Sequence, residues 1–221
     1  MSDCTKTNEK DQKILDAATK FFLIHGFSGT TTDMIQKEAG VSKATMYGCF
    51  KNKEAMFAAV IERQCTNMQK QIMSVETKAK NLRSALTEIG KTYLCFILSH
   101  SGLAFFRVCI AEAVRFPELS EKFFEVGPQR LANIIAGYLE KSVKQGEIEL
   151  TSSSEVAANI FLSLLRSDAH LKCLTHPDYL ISADEISTWV EYAVDLFLKN
   201  IRPLAKVVIA SSSDLPVQRL S

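Results

Sequence analysis

Residues 30–53 read TTTDMIQKEAGVSKATMYGCFKNK, and their types suit contact with a polyanion. Thr31, Thr32, Ser42, Thr45 and Tyr47 offer short hydroxyls, while Lys43 and Lys53 offer ammonium groups. Hydroxyls and ammoniums are what phosphate oxygens and base edges accept from. The apolar residues are spaced for two short helices: Ile35 and Ala39 on the first, Met46 and Phe50 on the second. Gly40 can take the left-handed conformation that ends a helix. Val41 plugs the turn, and Ser42 can accept from the first free amides of the helix that follows. Two helices joined by such a turn form a helix-turn-helix. Lys43, Ala44, Thr45, Tyr47 and Gly48 then remain on the outer face of the second helix. They are mostly small, as a helix needs to enter a major groove about 12 Å wide. Between Lys37 and Lys53 four lysines (Lys37, Lys43, Lys51, Lys53) stand against Glu38 alone.

Other constellations are weaker. Glu112 lies within an apolar stretch, close in sequence to Arg107 and Arg115. It reads either as an ion-paired structural carboxylate or as the counter-charge of a cationic ligand. His170, Cys173 and His176 are metal-binding types, but on an ideal helix the two histidines lie about 240° apart. No carboxylate cluster completes a ligand set, so a metal is disfavoured. Cys49 stands among lysines, which can acidify a thiol; a small inert residue is the simpler reading. Gly26-Phe27-Ser28-Gly29 follows no strand and is not a nucleophile elbow, and no phosphate-binding G-x-x-x-x-G-K-[ST] sequence occurs. Neither catalysis nor a cofactor is indicated.

The elements that must position these residues are helical throughout. No alternating β-branched run bounded by turn residues appears, and all five prolines follow residue 116. Three- and four-residue apolar spacing predicts helices over about 12–25 (with a stop at Gly26), 31–39, 43–50 and 53–75. It continues over 82–100, 103–116, 118–126, 130–144, 155–174 and 183–201. Glycines, prolines and the Thr151-Ser152-Ser153-Ser154 run supply the boundaries. The fold class is therefore all-α. The 221 residues carry 26 Lys+Arg against 25 Asp+Glu, a net charge of +1. That balance excludes binding to nucleic acid by bulk charge, so any such site must be local. The start, MSDCTKTNEKDQK, has no apolar core of a signal peptide. The longest stretch without formal charge, residues 92–106, is short of the roughly 18–20 residues of a spanning helix. Six unpaired cysteines fit a reducing compartment. A cytoplasmic protein without a membrane segment is expected.

Residues 14–61 resemble the N-terminal domain of the TetR family of transcriptional regulators. The likeness is carried by Gly26-Phe27, Thr30-Thr31, Ala39-Gly40-Val41-Ser42, Tyr47, Phe50 and Lys53. FFRVCIAEAVRFPEL at 105–119 is similar to the C-terminal domain of AefR/AcrR-like efflux repressors. The resemblance implies a three-helix DNA-binding domain at 1–62, a ligand-binding and dimerisation domain at 63–201, and a flexible tail at 202–221. It implies that Thr31 and Thr32 contact phosphate or a base edge, and that Ser42, Lys43, Ala44 and Thr45 begin the base-reading helix. Tyr47 and Lys53 would grip the backbone, Lys53 from a helix N-terminus. Cys49 departs from the family, which often has a histidine or another large polar residue there. The implied protein is a homodimeric repressor on a palindromic operator, controlling an efflux or stress-response gene. A small hydrophobic or cationic inducer would release it, held by Phe96, Phe105, Glu112, Phe161 and Leu165. Ala157, Ala158, Ile160, Phe161, Leu164 and Leu165, with Trp189, Val190, Ala193, Val194 and Phe197, suit a helix–helix dimer seam. A helical carrier or interaction protein without a DNA role accounts for the C-terminal half equally well, but leaves 30–53 unexplained.

Overall fold

The computed structural model describes residues 2–75 and 79–203. They form ten α-helices: α1 (Ser2–Gly29), α2 (Thr32–Ala39), α3 (Lys43–Cys49), α4 (Lys53–Met73), α5 (Leu82–Ile97), α6 (His100–Glu112), α7 (Pro117–Phe124), α8 (Arg130–Lys144), α9 (Ser154–Thr175) and α10 (Ala183–Lys199). The all-α expectation holds, with one small addition. Two-residue strands β1 (Ile148–Glu149) and β2 (Arg202–Pro203) pair antiparallel, tying the end of α10 to the α8–α9 loop. A bridge that short has no alternation to read. Of the expected tail, residues 204–221 lie outside the described residues.

Side-chain hydroxyls and amides begin most helices. Thr31, Ser42, Asn52, Asn81, Ser99, Ser153 and Ser182 each accept from a first-turn amide of α2, α3, α4, α5, α6, α9 and α10 respectively. Gly26 (φ 69°, ψ −179°) breaks the helical backbone inside α1, where the apolar spacing places a stop. The break aims Phe27 inward against Phe22, Phe57 and Phe116, with ring centroids 5.8, 5.2 and 4.7 Å away. The apolar spacing of 118–126 predicts an ordinary end to its helix. Instead a π-helical turn, Glu125–Gln129, joins α7 to α8. Pro128 supplies no N–H to the ladder there, and buried Gln69 donates to the Val126 carbonyl at 2.6 Å.

Two apolar clusters result. One gathers α1–α3 and the first half of α4, and also takes in Phe105, Cys109, Leu119 and Val126. The other gathers the second half of α4 with α5, α8, α9 and α10. α4 runs through both without a break, so position 62 falls inside a continuous helix. Between α5 and α6 the chain bends by 67°. A side chain at Gly102 would collide there with the Phe96 carbonyl, so the bend requires glycine. Among the described residues no single helix is long and apolar enough to cross a membrane; only the bent α5–α6 pair reaches that composition together.

Candidate nucleic-acid interface

α2 and α3 are placed by the chemistry of the turn between them. Gly40 is left-handed (φ 64°, ψ 33°), and its amide donates to the Lys37 and Gln36 carbonyls. The Gln36 amide closes the turn by donating to the Val41 carbonyl at 2.5 Å. Ile35 and Met46 are fully buried beneath. Locked in this way, α3 presents Lys43, Ala44, Tyr47 and Gly48 to solvent. Thr45 is half-buried, and its hydroxyl lies 2.9 Å from that of Ser42, which also accepts from the Thr45 amide at 3.0 Å.

The hydroxyls expected to meet DNA are partly engaged with one another. Thr31 caps α2 by accepting from the Met34 amide at 3.2 Å. Tyr47 donates to the Thr32 hydroxyl at 3.2 Å, linking α3 to the start of α2, and stays 47% exposed. Lys43 pairs with Asp33 at 2.7 Å with both side chains in solvent. That carboxylate holds the ammonium's pKa above its ordinary value, first by hydrogen bonding and then by charge.

Lys53 sits differently from the expectation. It opens α4, but its ammonium turns inward and donates to the Phe27 and Thr30 carbonyls at 2.9 and 3.0 Å. It also lies 4.3 Å from the centre of the Phe27 ring. Of its three N–H donors, one remains for a phosphate. Lys53 therefore closes the C-terminal end of α1 onto α4, a role that charge and position alone do not reveal. Cys49 is no thiolate: burial, and then the hydrogen bond its thiol donates to the Asp11 carboxylate, push its pKa up to about 11.

The five expected ligand contacts do not converge. Phe96 and Phe105 line one apolar cavity with Ile61, Gln64, Cys65, Gly102, Phe106 and Phe123. Phe161 and Leu165 are instead fully buried where α9 meets α5 and α10, the Phe161 ring tilted against that of Phe197 with centroids 5.0 Å apart. Glu112 sits away from the cavity, at the end of α6 beside Ser28. Its two carboxylate oxygens accept from the Ser28 amide and hydroxyl, each at 2.9 Å. Burial raises its pKa, but Ser28, Arg115 and Lys53 outweigh that and leave the carboxyl below its usual value. An ionised Glu112 thus joins α6 to the end of α1. Cavity residues on α4 and α7 (Gln64, Cys65, Phe123) escape sequence reasoning because they meet the others only through tertiary packing.

The expected dimer seam is divided. Ala157, Ala158, Phe161, Leu165, Val190, Ala193, Val194 and Phe197 face into the chain's own core. Of the expected residues Ile160 on α9 (50% exposed) faces outward, beside Val156 (50%) and, on α10, Tyr192 (59%) and Leu196 (37%), which the sequence did not single out. His170 and Cys173 are buried, whereas His176 is exposed and bonded to Thr175 at 2.9 Å. Among the described residues no three His, Cys, Asp or Glu gather around a metal position.

Comparisons with known proteins agree with this geometry. Residues 14–60 match the model of bacterial regulatory proteins of the tetR family. Residues 84–201 match the C-terminal domain of AefR-like transcriptional repressors. The chain is 27% identical over 191 residues to YvkB of Bacillus subtilis, an HTH-type transcriptional regulator, covering 86% of this chain and 96% of that one. It superposes on a TetR-family regulator from Mesorhizobium loti with a TM-score of 0.80 at 26% identity, covering 88% of this chain and 98% of that one. The flavonoid-responsive regulator FrrA gives a TM-score of 0.73 at 34% identity, covering 90% of this chain and all (100%) of that one.

Proposed function

The chain belongs to the TetR family of DNA-binding transcriptional regulators, and on that premise we propose that it is a cytoplasmic, homodimeric repressor released from a palindromic operator by a small molecule. The observation that carries this reading is the surface of α3. That helix is short, capped by Ser42, and buried only through Met46 on its inner side. Its outer side offers Lys43, Ala44, Thr45 and Tyr47, which we assign to base and phosphate contact, with Thr31 and Thr32 on α2 behind them. The N-terminal cluster, residues 1–62 in the proposed division, would be the operator-binding unit. Residues 63–201 would sense and dimerise.

The outward apolar strip of α9 and α10 supports a dimer, since a helix face this apolar needs a partner. Two-fold symmetry would place the two α3 helices on successive major grooves roughly 34–36 Å apart. The Phe96–Phe105 cavity supports an aromatic or aliphatic inducer. Its lining contains no carboxylate, and Glu112 is occupied elsewhere, so an uncharged ligand is favoured over a cation. That FrrA is flavonoid-responsive is consistent with such a ligand. Control of an efflux or stress-response gene is part of the same proposal.

A gel shift against the DNA upstream of the protein's own gene tests the reading. A retarded band at low salt is expected, lost on adding the inducer. Absence of any shift from a folded dimer overturns it.

A further inference from the structure

His170 is a buried polar group that the fold leaves without a use. It is 8% exposed, and its Nε2 has no hydrogen-bond partner. Its ring meets the Phe106 ring edge-on, with centroids 4.7 Å apart, and Phe106 meets Phe123 in the same manner at 5.0 Å. Phe106 and Phe123 both line the apolar cavity, so His170 stands one ring behind its wall. A core that needed only packing there would be served better by an apolar residue, since an unpaired buried nitrogen destabilises. Burial, and then the charge of Arg166, lower the imidazole pKa to about 4 and keep it neutral.

The backbone beside it is also unusual. Ser167 has φ 44° and ψ −162°, which breaks α9 three residues before His170. Non-glycine residues in such conformations tend to be kept at functional sites. Trp189 donates to the Leu164 and Leu165 carbonyls, both at 3.1 Å, just ahead of the break. Beyond it, Arg107 of α6 holds the Cys173 and Leu174 carbonyls at 2.7 and 3.0 Å. The His170 segment is therefore fastened to α6, the helix that reaches Ser28 through Glu112.

We propose that His170 is the polar anchor of the ligand site, and that the ligand is an uncharged aromatic molecule whose hydroxyl hydrogen-bonds to Nε2. This rests on the ligand-responsive reading above. An aromatic lining favours an aromatic guest, and a site with no carboxylate offers a cation no counter-charge. A hydroxyl both donates and accepts, so it satisfies either tautomer of a neutral imidazole. The cavity as it stands encloses only about 10 Å³, room for no more than a water molecule and far below the roughly 300–1,000 Å³ of ordinary ligand sites. Entry therefore turns the Phe106 ring aside, which uncovers His170.

Calorimetric titration of the full chain with naphthol, its methyl ether and naphthylmethylammonium tests this. Wild type is expected to bind naphthol about 10-fold more tightly than the ether, the worth of one hydrogen bond, and the ammonium not measurably. His170→Phe should bind naphthol and ether alike, while His170→Gln, with an amide near the place of Nε2, restores the preference. Equal binding of naphthol and ether by wild type overturns the proposal. So does a preference that survives in His170→Phe, or no binding of naphthol up to its solubility. His170→Phe should also melt no lower than wild type at neutral pH; should that variant fail to fold, the wild-type comparison decides alone. A gel shift of the unliganded protein separates the two readings, because it responds to operator binding and not to His170.

Discussion

At the scale of single residues, the two lysines expected at the DNA are both engaged, one by a surface carboxylate and one by the chain's interior. Lys43 is fully in solvent but held by Asp33 at 2.7 Å; Lys53 is held by two carbonyls and a ring. The same substitution logic therefore gives opposite outcomes at the two positions. Asp33→Asn removes the competitor of Lys43, so operator affinity should rise several-fold in low salt. The salt dependence should steepen by about one phosphate contact per subunit. Filter binding across a salt series checks this, and an unchanged slope would show that Lys43 does not touch phosphate. Lys53→Ala instead removes two charge-assisted bonds that hold α1 to α4. It should cost about 1–3 kcal/mol of stability, read as a lowered denaturation midpoint with DNA absent. If Lys53→Ala weakens DNA binding while the midpoint stays put, its inward bonds are incidental and phosphate contact is its main task.

At the scale of elements, most of the helical order was legible because each boundary has a local cause. Ser42, Asn81 and Ser182 cap, Gly40 turns left-handed, and α8 occupies the span its periodicity marks. The turn and the outer face of α3 were legible for the same reason. What was not legible depends on partners distant in the chain. Nothing near Glu112 announces Ser28, 84 positions away. Nothing near Phe161 distinguishes a cavity wall from a core face until α10 packs over it. The break at Ser167 had no glycine or proline to mark it. The burial beyond that break has a measurable consequence in α9. His170 titrates near its ordinary 6.5 when unfolded and near 4 when folded, pushed down by burial and by Arg166. Between these values the unfolded chain binds one more proton than the folded one, so stability falls as pH drops from about 6.5 towards 4. The full loss approaches about 3 kcal/mol. Urea denaturation at stepped pH should show this slope in wild type and its removal in His170→Phe. Parallel curves would mean that His170 is not held neutral by the fold.

At the scale of the whole molecule, one continuous helix and one hydrogen-bonded pair couple the C-terminal helices, the proposed sensing half, to the N-terminal DNA-binding helices. α4 belongs to both apolar clusters, and α6 spans from the cavity at Phe105 to Ser28 at the end of α1. A ligand that moved α6 would therefore move α1, and with it the helices packed on α1. Such tilting matters only if two reading heads must stay in register, because a single head gains its contacts regardless of orientation. The near-zero net charge makes the same demand, since it leaves little non-specific attraction to hold one head in place. In the proposed dimer the pairing supplies that register, and the surface that suits it is the outward strip of α9 and α10. Ile160 is half exposed there and, unlike its neighbours Phe161 and Leu165, takes no part in the chain's own core. Ile160→Glu should therefore leave the fold and melting curve nearly intact while placing like charges across the two-fold axis. Sedimentation should then show a monomer where wild type shows a dimer. Operator affinity should fall by two orders of magnitude or more, towards that of one half-site. A monomer that binds the full operator as tightly as wild type would remove the need for register, and with it this account of how a small molecule switches the protein off.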